Sequence, residues 1–316
     1  MSQLLTIGET MISFIPDGNE PLQYGPTLKM RIAGAESNTA IGVQKLGHSV
    51  SYLTRVGNDN LGAFLLRMIR AEGVDTSYIK TDPNHPTGIM IKELLPRAET
   101  SVSYYRTDSA ATYLSIKDVP TKAIADAEIL HFTGITPILS PSCQEMIFHA
   151  MEVAQANNCA ISFDPNIRTK LWKNHDYIPL MHTIIAQSNF VLLGLDEANI
   201  LYGTKDITKL VDILSASKAL RFLAIKDGAQ GAWVSDFKET LHIPCAPCQC
   251  IDPIGAGDAF NAGFLSGLLK NAPLATCGAM GAILGAKATE TSGDIEGLIT
   301  EQEMQNLLNN ISPASR

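Results

Sequence analysis

Apolar residues along the chain fall into two kinds of run. One kind is continuous and rich in Val, Ile and Leu: LLTIG (4–8), VSYLTRV (50–56), AEILHFTGI (127–135), AISFDPN (160–166), NFVLLGL (189–195) and RFLAIKDG (221–228). Between these runs, helical spacing covers 36–46, 60–72, 141–156 and 176–187. Continuous apolar strands alternate with helices when a parallel sheet is covered on both faces, so the pattern predicts an α/β core. From 257 onward the chain reads as nearly all helical. Small residues crowd GAMGAILGAKATETSG (278–293), which lets another group approach the backbone closely.

Two stretches, 11–32 and 87–107, break the alternation, each reading as strands joined by turns. They are expected to combine into a small β-sheet beside the core that acts as a lid. No repeat, low-complexity tract or linker interrupts the chain, so the lid reads as an excursion from a single domain spanning 1–316.

Composition narrows the class. With 45% hydrophobic and 18% charged residues, the chain has the make-up of a globular protein. Its longest apolar runs fall well short of the roughly 20 residues that span a bilayer, so no membrane partner is expected. MSQLLTIGET reads as a first strand and not as a secretion signal, which makes the cytoplasm the expected location. A balance of 24 basic against 32 acidic residues, net −8, argues against broad attraction to nucleic acid, so an anionic ligand must be held by local groups. Six cysteines are too few for a disulfide framework. The cluster Cys245, Cys248 and Cys250 lacks the second ligand pair of a structural zinc site, and these residues are expected to be buried strand thiols.

The string with most chemistry is CIDPIGAGDAFNAGF (250–264). A dinucleotide fingerprint is excluded, because Phe260 stands at the third glycine position and no acid follows at the required distance. No Walker A string occurs. What remains is a glycine-rich turn opening a helix, where free N–H groups and the helix dipole stabilise an anion. Asp258 then has two readings, a helix cap or a general base taking a proton from a hydroxyl.

At this point the chain resembles the ribokinase-type (PfkB) carbohydrate kinases over essentially its whole length. DPIGAGDAF (252–260) is similar to the family's C-terminal signature, with Pro253 where Thr is commoner, and AGAESNTA (33–40) to its N-terminal one, with Ala33 in place of Gly. The resemblance implies a ribokinase-like three-layer α/β/α fold and the cofactors ATP and Mg²⁺. It also implies that Asp258 is the catalytic base and that the backbone of Gly255, Ala256 and Gly257 is the anion hole. Gly34 and Asn38 would contact sugar hydroxyls, and Asn166, Arg168, Lys226, Gly228 and Gly231 would contact the nucleotide. The small-residue helix would flank adenine, and Glu197 would reach the metal through water.

For the sugar, strand alternation puts Tyr104 and Arg106 on one face and Tyr105 on the other. Arg168 follows a core strand at the end where open α/β sheets gather ligand groups. Two converging guanidinium groups suit a carboxylate, while the competing reading has Arg106 as a solvated edge charge and Arg168 on a phosphate. GAESN, YYRTDSAA, HFTGI and FDPNIRTKLW are similar to 2-keto-3-deoxygluconate kinases, implying phosphorylation of the 6-hydroxyl of that sugar acid. Fructokinases share part of this pattern but usually have Pro at the position of Glu36. A neutral-sugar kinase and a non-catalytic sugar-binding regulator stay open as alternatives. His131, Trp172 and Tyr202 read as packing residues, and the apolar lid suggests a homo-oligomer.

Overall fold

The computed structural model describes residues 2–311 except 19, 94–99 and 174. Among the described residues thirteen strands form two sheets: β1 (Leu4–Ile7), β2 (Met11–Pro16), β3 (Leu28–Ala33), β4 (Val50–Gly57), β5 (Ile79–Asp82), β6 (Ile89–Glu93), β7 (Ser101–Tyr105), β8 (Ile129–Thr133), β9 (Ala160–Asp164), β10 (Phe190–Gly194), β11 (Phe222–Lys226), β12 (Ala232–Ser235) and β13 (Thr240–Ile243). The helices are α1 (Ala35–Lys45), α2 (Asn60–Ala71), α3 (Thr121–Ala125), α4 (Pro141–Ala156), α5 (Thr169–Trp172), α6 (Ile178–Gln187), α7 (Leu195–Tyr202), α8 (Ile207–Ser215), α9 (Ala256–Leu269), α10 (Leu274–Ala288) and α11 (Glu301–Ile311).

The large sheet has the order β13-β12-β11-β10-β9-β8-β1-β4-β5. It is parallel from β5 through β11, and β12 and β13 close the other edge antiparallel. Burial on both faces explains the continuous apolar runs. Along β10, Phe190 and Leu192 belong to the core that includes buried residues of α1, α2, α9 and α10, while Val191 and Leu193 belong to the core that includes those of α4, α6, α7 and α8. This is the expected α/β/α layering. Local signals set the helix starts, as in α4, where Ser140 accepts the Cys143 N–H at 3.2 Å and Pro141 occupies the first helical position.

The two stretches that break the alternation do form a second sheet, with order β3-β2-β6-β7. Pairs such as Ile12↔Ile32 and Met90↔Tyr104 fix its register; positions 94–99 of the second stretch lie outside the described residues.

One expectation fails. Cys245, Cys248 and Cys250 are not buried strand thiols: they lie past β13 in irregular chain, and Cys248 and Cys250 are exposed. The prolines of PCAPC, at 244 and 247, lack the N–H that would extend a strand ladder. By contrast, His131 is fully buried in β8 against Ser162 at 2.9 Å, and burial pushes its imidazole down to about 4. Trp172 packs edge-on against Tyr177, and Tyr202 stacks on His182.

Candidate active site

The C-terminal ends of the parallel strands, the face of the small sheet and the start of α9 enclose a cavity of about 810 Å³, well within the range of small-ligand sites. Its wall includes Gly34, Asn38, Tyr104, Arg106, Asn166 and Arg168, together with Glu197, Lys226, Gly228, Gly231 and the Gly255–Asp258 segment. The residues singled out in the sequence are therefore brought to one place.

Two glycines shape that wall through backbone geometry. Gly255 is the N-cap of α9 with φ 86°, and a Cβ there would press to 3.2 Å from the Asp294 carbonyl. Gly34 caps α1 with φ 141°, and its Cβ would meet the Glu9 carbonyl at 2.5 Å. Both helices thus begin at the cavity wall, and at α9 the Ala256 N–H donates to the Pro253 carbonyl at 3.3 Å.

Because Gly255 is the cap, Asp258 is not. It lies in the first turn of α9, where its Oδ2 accepts the Asn38 amide at 2.9 Å and its Oδ1 the Asn166 amide at 3.3 Å. Desolvation raises its carboxyl to about 6; the Asn38 hydrogen bond and the Arg168 and Lys226 charges pull it down, and the Asp164 charge adds to the rise. A buried carboxylate with a raised pKa at a helix start is suited to accepting a proton. Both amides are oriented by these bonds, and Asn38 Oδ1 and Asn166 Oδ1 are buried with no hydrogen-bond partner among the described residues. Buried carbonyls left unpaired are costly, so these two atoms mark positions for donor groups of a ligand.

The flanking charges are arranged around Asp164. Its Oδ2 receives Lys226 Nζ at 2.7 Å and Asn261 Nδ2 at 2.6 Å, and its Oδ1 receives the Asn166 N–H at 3.0 Å. Nothing in the DPN string itself marks Asp164 for this role; its position at the C-terminal end of a core strand is the signal that points to it. Glu197, in the first turn of α7, accepts the N–H groups of the N-cap Gly194 at 2.6 Å and of Ile167 at 2.7 Å. Burial, reinforced by the Asp164 charge, raises its carboxyl.

Tyr104 and Arg106 share a face and both line the cavity, with the guanidinium 5.7 Å from the ring centre, while Tyr105 is 64% exposed. Arg106 is not a solvated edge charge: it is buried and ion-paired with Glu9, which also accepts from Ser109 Oγ at 2.5 Å. Glu9 escaped the sequence reading because nothing local marks it. Arg168 is exposed at the cavity rim, so both arginines face one space, but Arg106 arrives with a counter-ion.

Glu36 does not reach the cavity. Its Oε1 ties α1 to Thr133 Oγ1 at 2.7 Å and Thr136 Oγ1 at 2.8 Å. In α10, Ala282, Gly285 and Ala286 line the cavity, whereas Gly281 admits the Phe260 ring of α9 and Gly278 admits Ile243. Helix packing therefore accounts for part of the small-residue content. The three exposed or half-exposed cysteines stand at the same end of the cavity, beside Thr289.

Residues 1–301 match the family model described as pfkB family carbohydrate kinase. The chain belongs to that family. This kinase is 33% identical to the 2-dehydro-3-deoxygluconokinase of Bacillus subtilis (strain 168) over 96% of its own length and 94% of the relative's. It is 29% identical to a fructokinase of Klebsiella pneumoniae, with 97% and 99% covered. In fold it superposes on a putative ribokinase II from E. coli in complex with ATP and Mg²⁺, with a TM-score of 0.91, 22% identity and coverage of 98% and 100%. Among the described residues no helix is long and apolar enough to cross a membrane.

Proposed function

We propose that this carbohydrate kinase transfers the γ-phosphoryl group of ATP to the 6-hydroxyl of 2-keto-3-deoxygluconate. The observation that carries the reading is the buried Asp258 carboxylate, held by Asn38 and Asn166 at the glycine turn of a cavity that also gathers Tyr104, Arg106 and Arg168. Asp258 takes the hydroxyl proton as the oxygen attacks phosphorus, and the N–H groups of Gly255, Ala256 and Gly257 stabilise charge on the transferred group. Asn38 and Gly34 orient the sugar. Lys226, Gly228 and Gly231 serve the nucleotide end, and Asn166 and Arg168 stand between the two substrates. Tyr104, Arg106 and Arg168 receive the carboxylate.

A magnesium ion would be held here by the nucleotide phosphates and water, with the Asp164 and Glu197 carboxylates lining the same cavity. When bound, the ion neutralises phosphate charge. The small sheet acts as the lid of a single domain, and its outer strands, with Tyr105 exposed, provide the surface for a homo-oligomer, which light scattering would reveal as a mass above the monomer's 34.0 kDa.

A neutral-ketose kinase is the second reading, favoured by one observation: Glu9 already neutralises Arg106. Product analysis separates the two. ³¹P and ¹³C spectra of the mixture are expected to show phosphate on C6 of the keto-deoxy acid; a phosphate on fructose alone would reverse the reading.

A further inference from the structure

Lys92, on β6 of the small sheet, is fully buried, yet it carries a charge into the core. Its Nζ lies 2.6 Å from Asp252 Oδ2 and 2.7 Å from Asp294 Oδ1, and both carboxylates are almost completely buried. Burial alone would lower the ammonium's pKa, but Asp294 and Asp252 outweigh it and hold the group above its usual value. One lysine between two acids is a tethered cation with a place to fill.

Each acid acts on a different part of the active site. Asp252 Oδ1 accepts the Ile254 N–H at 3.1 Å and so holds the backbone one residue before the Gly255 turn. Asp294 packs its main chain against Gly255, and its Oδ2 accepts the same Asn38 amide that binds Asp258, at 3.3 Å. The ammonium is therefore one contact from the phosphate turn on one side, and linked to the base through Asp294 and Asn38 on the other. A second, more exposed tie runs alongside, from Arg31 on β3 to Glu296 at 3.0 Å.

We propose that Lys92 is a positioning residue: it couples the seating of the small sheet to the geometry of the Gly255–Gly257 turn and of Asp258. Without its ammonium, two buried carboxylates face each other unpaired and repel. The turn they brace then shifts, and displacements of about 1 Å at a reacting centre cost on the order of 10² in rate. The inference rests on the reading of that turn as the phosphate seat.

The test uses the full chain with whichever sugar supports turnover, and Asp258→Asn is assayed alongside. Lys92→Met, matched in length but uncharged, is expected to lower kcat roughly 10²-fold while sugar KM changes little. Lys92→Ala, which leaves space, is expected to regain about tenfold in kcat with methylammonium chloride and nothing with tetramethylammonium chloride at equal ionic strength, because only the smaller cation donates hydrogen bonds to both acids. Should Lys92→Met fail to fold, Lys92→Gln replaces it, since its amide still donates to an acid without carrying the charge; the same loss in kcat supports the proposal. Wild-type kcat in a folded Lys92 variant, or no rescue by methylammonium, overturns it. If Asp258→Asn turns over like wild type, it is the reading of the turn and base that fails instead.

Discussion

Asn38 and Asp258, 220 residues apart, meet at 2.9 Å, the amide of one signature donating to the carboxylate of the other. That bond lowers the pKa of Asp258 against the desolvation that raises it. The free carboxyl is thus brought to about 6, so the base is ionised near neutral pH and is lost to protonation as pH falls through that value. The kcat/KM profile, which reports the free enzyme, is expected to fall tenfold per pH unit below about 6. Asn38→Ala removes a lowering influence, so its acid limb is expected to move to higher pH by ~1 unit. An unmoved limb would detach Asn38 from the base.

The same carboxylate weakens the fold. Its pKa is raised from 3.8 when unfolded to about 6 when folded, so the folded state binds the proton more tightly between these values. Stability therefore declines as pH rises through that window and remains lower above it, by about 3 kcal/mol at most. Asp258→Asn is expected to melt several degrees above wild type at pH 8, with the difference shrinking toward pH 4, while activity falls by ~10² or more. Melting curves at the two pH values check it; equal melting points at both would mean the buried charge is compensated.

Arg106 and Arg168 are expected to separate by stability. Arg106→Ala leaves Glu9 buried without its partner, a loss on the order of 3–5 kcal/mol. Arg168→Ala, at an exposed site, is expected to change stability by less than about 0.5 kcal/mol and to raise KM for the sugar acid or for ATP. Which KM rises tells which ligand Arg168 holds. Denaturant unfolding and steady-state kinetics together give the answer.

Cys248 and Cys250 are exposed and line the cavity with Gly231, Ala286 and Thr289. If that end holds the nucleotide, ATP is expected to slow alkylation of both by iodoacetamide, read by peptide mass, while the buried Cys143, Cys159 and Cys277 stay unlabelled in either state. Equal labelling rates with and without ATP would place the nucleotide elsewhere.

What could be read in the sequence was what is written locally. The strand–helix alternation, the glycine turn and its aspartate, and the shared face of Tyr104 and Arg106 are short-range patterns, and each took its expected position. What could not be read depends on partners distant in sequence. Glu9, Lys92, Asp164 and Asp294 look like ordinary charged residues until the fold places their counter-charges beside them. Arg106 shows the same limit: its face was legible, but Glu9 at its guanidinium was not. The four-residue strands β12 and β13 were too short to signal strongly, so the cysteine loop beyond them was misplaced.

ADP release with Mg·ATP and 2-keto-3-deoxygluconate, set beside fructose, ribose and gluconate, decides substrate and base together when wild type and Asp258→Asn are compared. Turnover confined to the keto-deoxy acid, lost by ~10² or more in the variant, is the predicted result. Preferred turnover of fructose, or an Asp258→Asn enzyme as fast as wild type, would contradict the account.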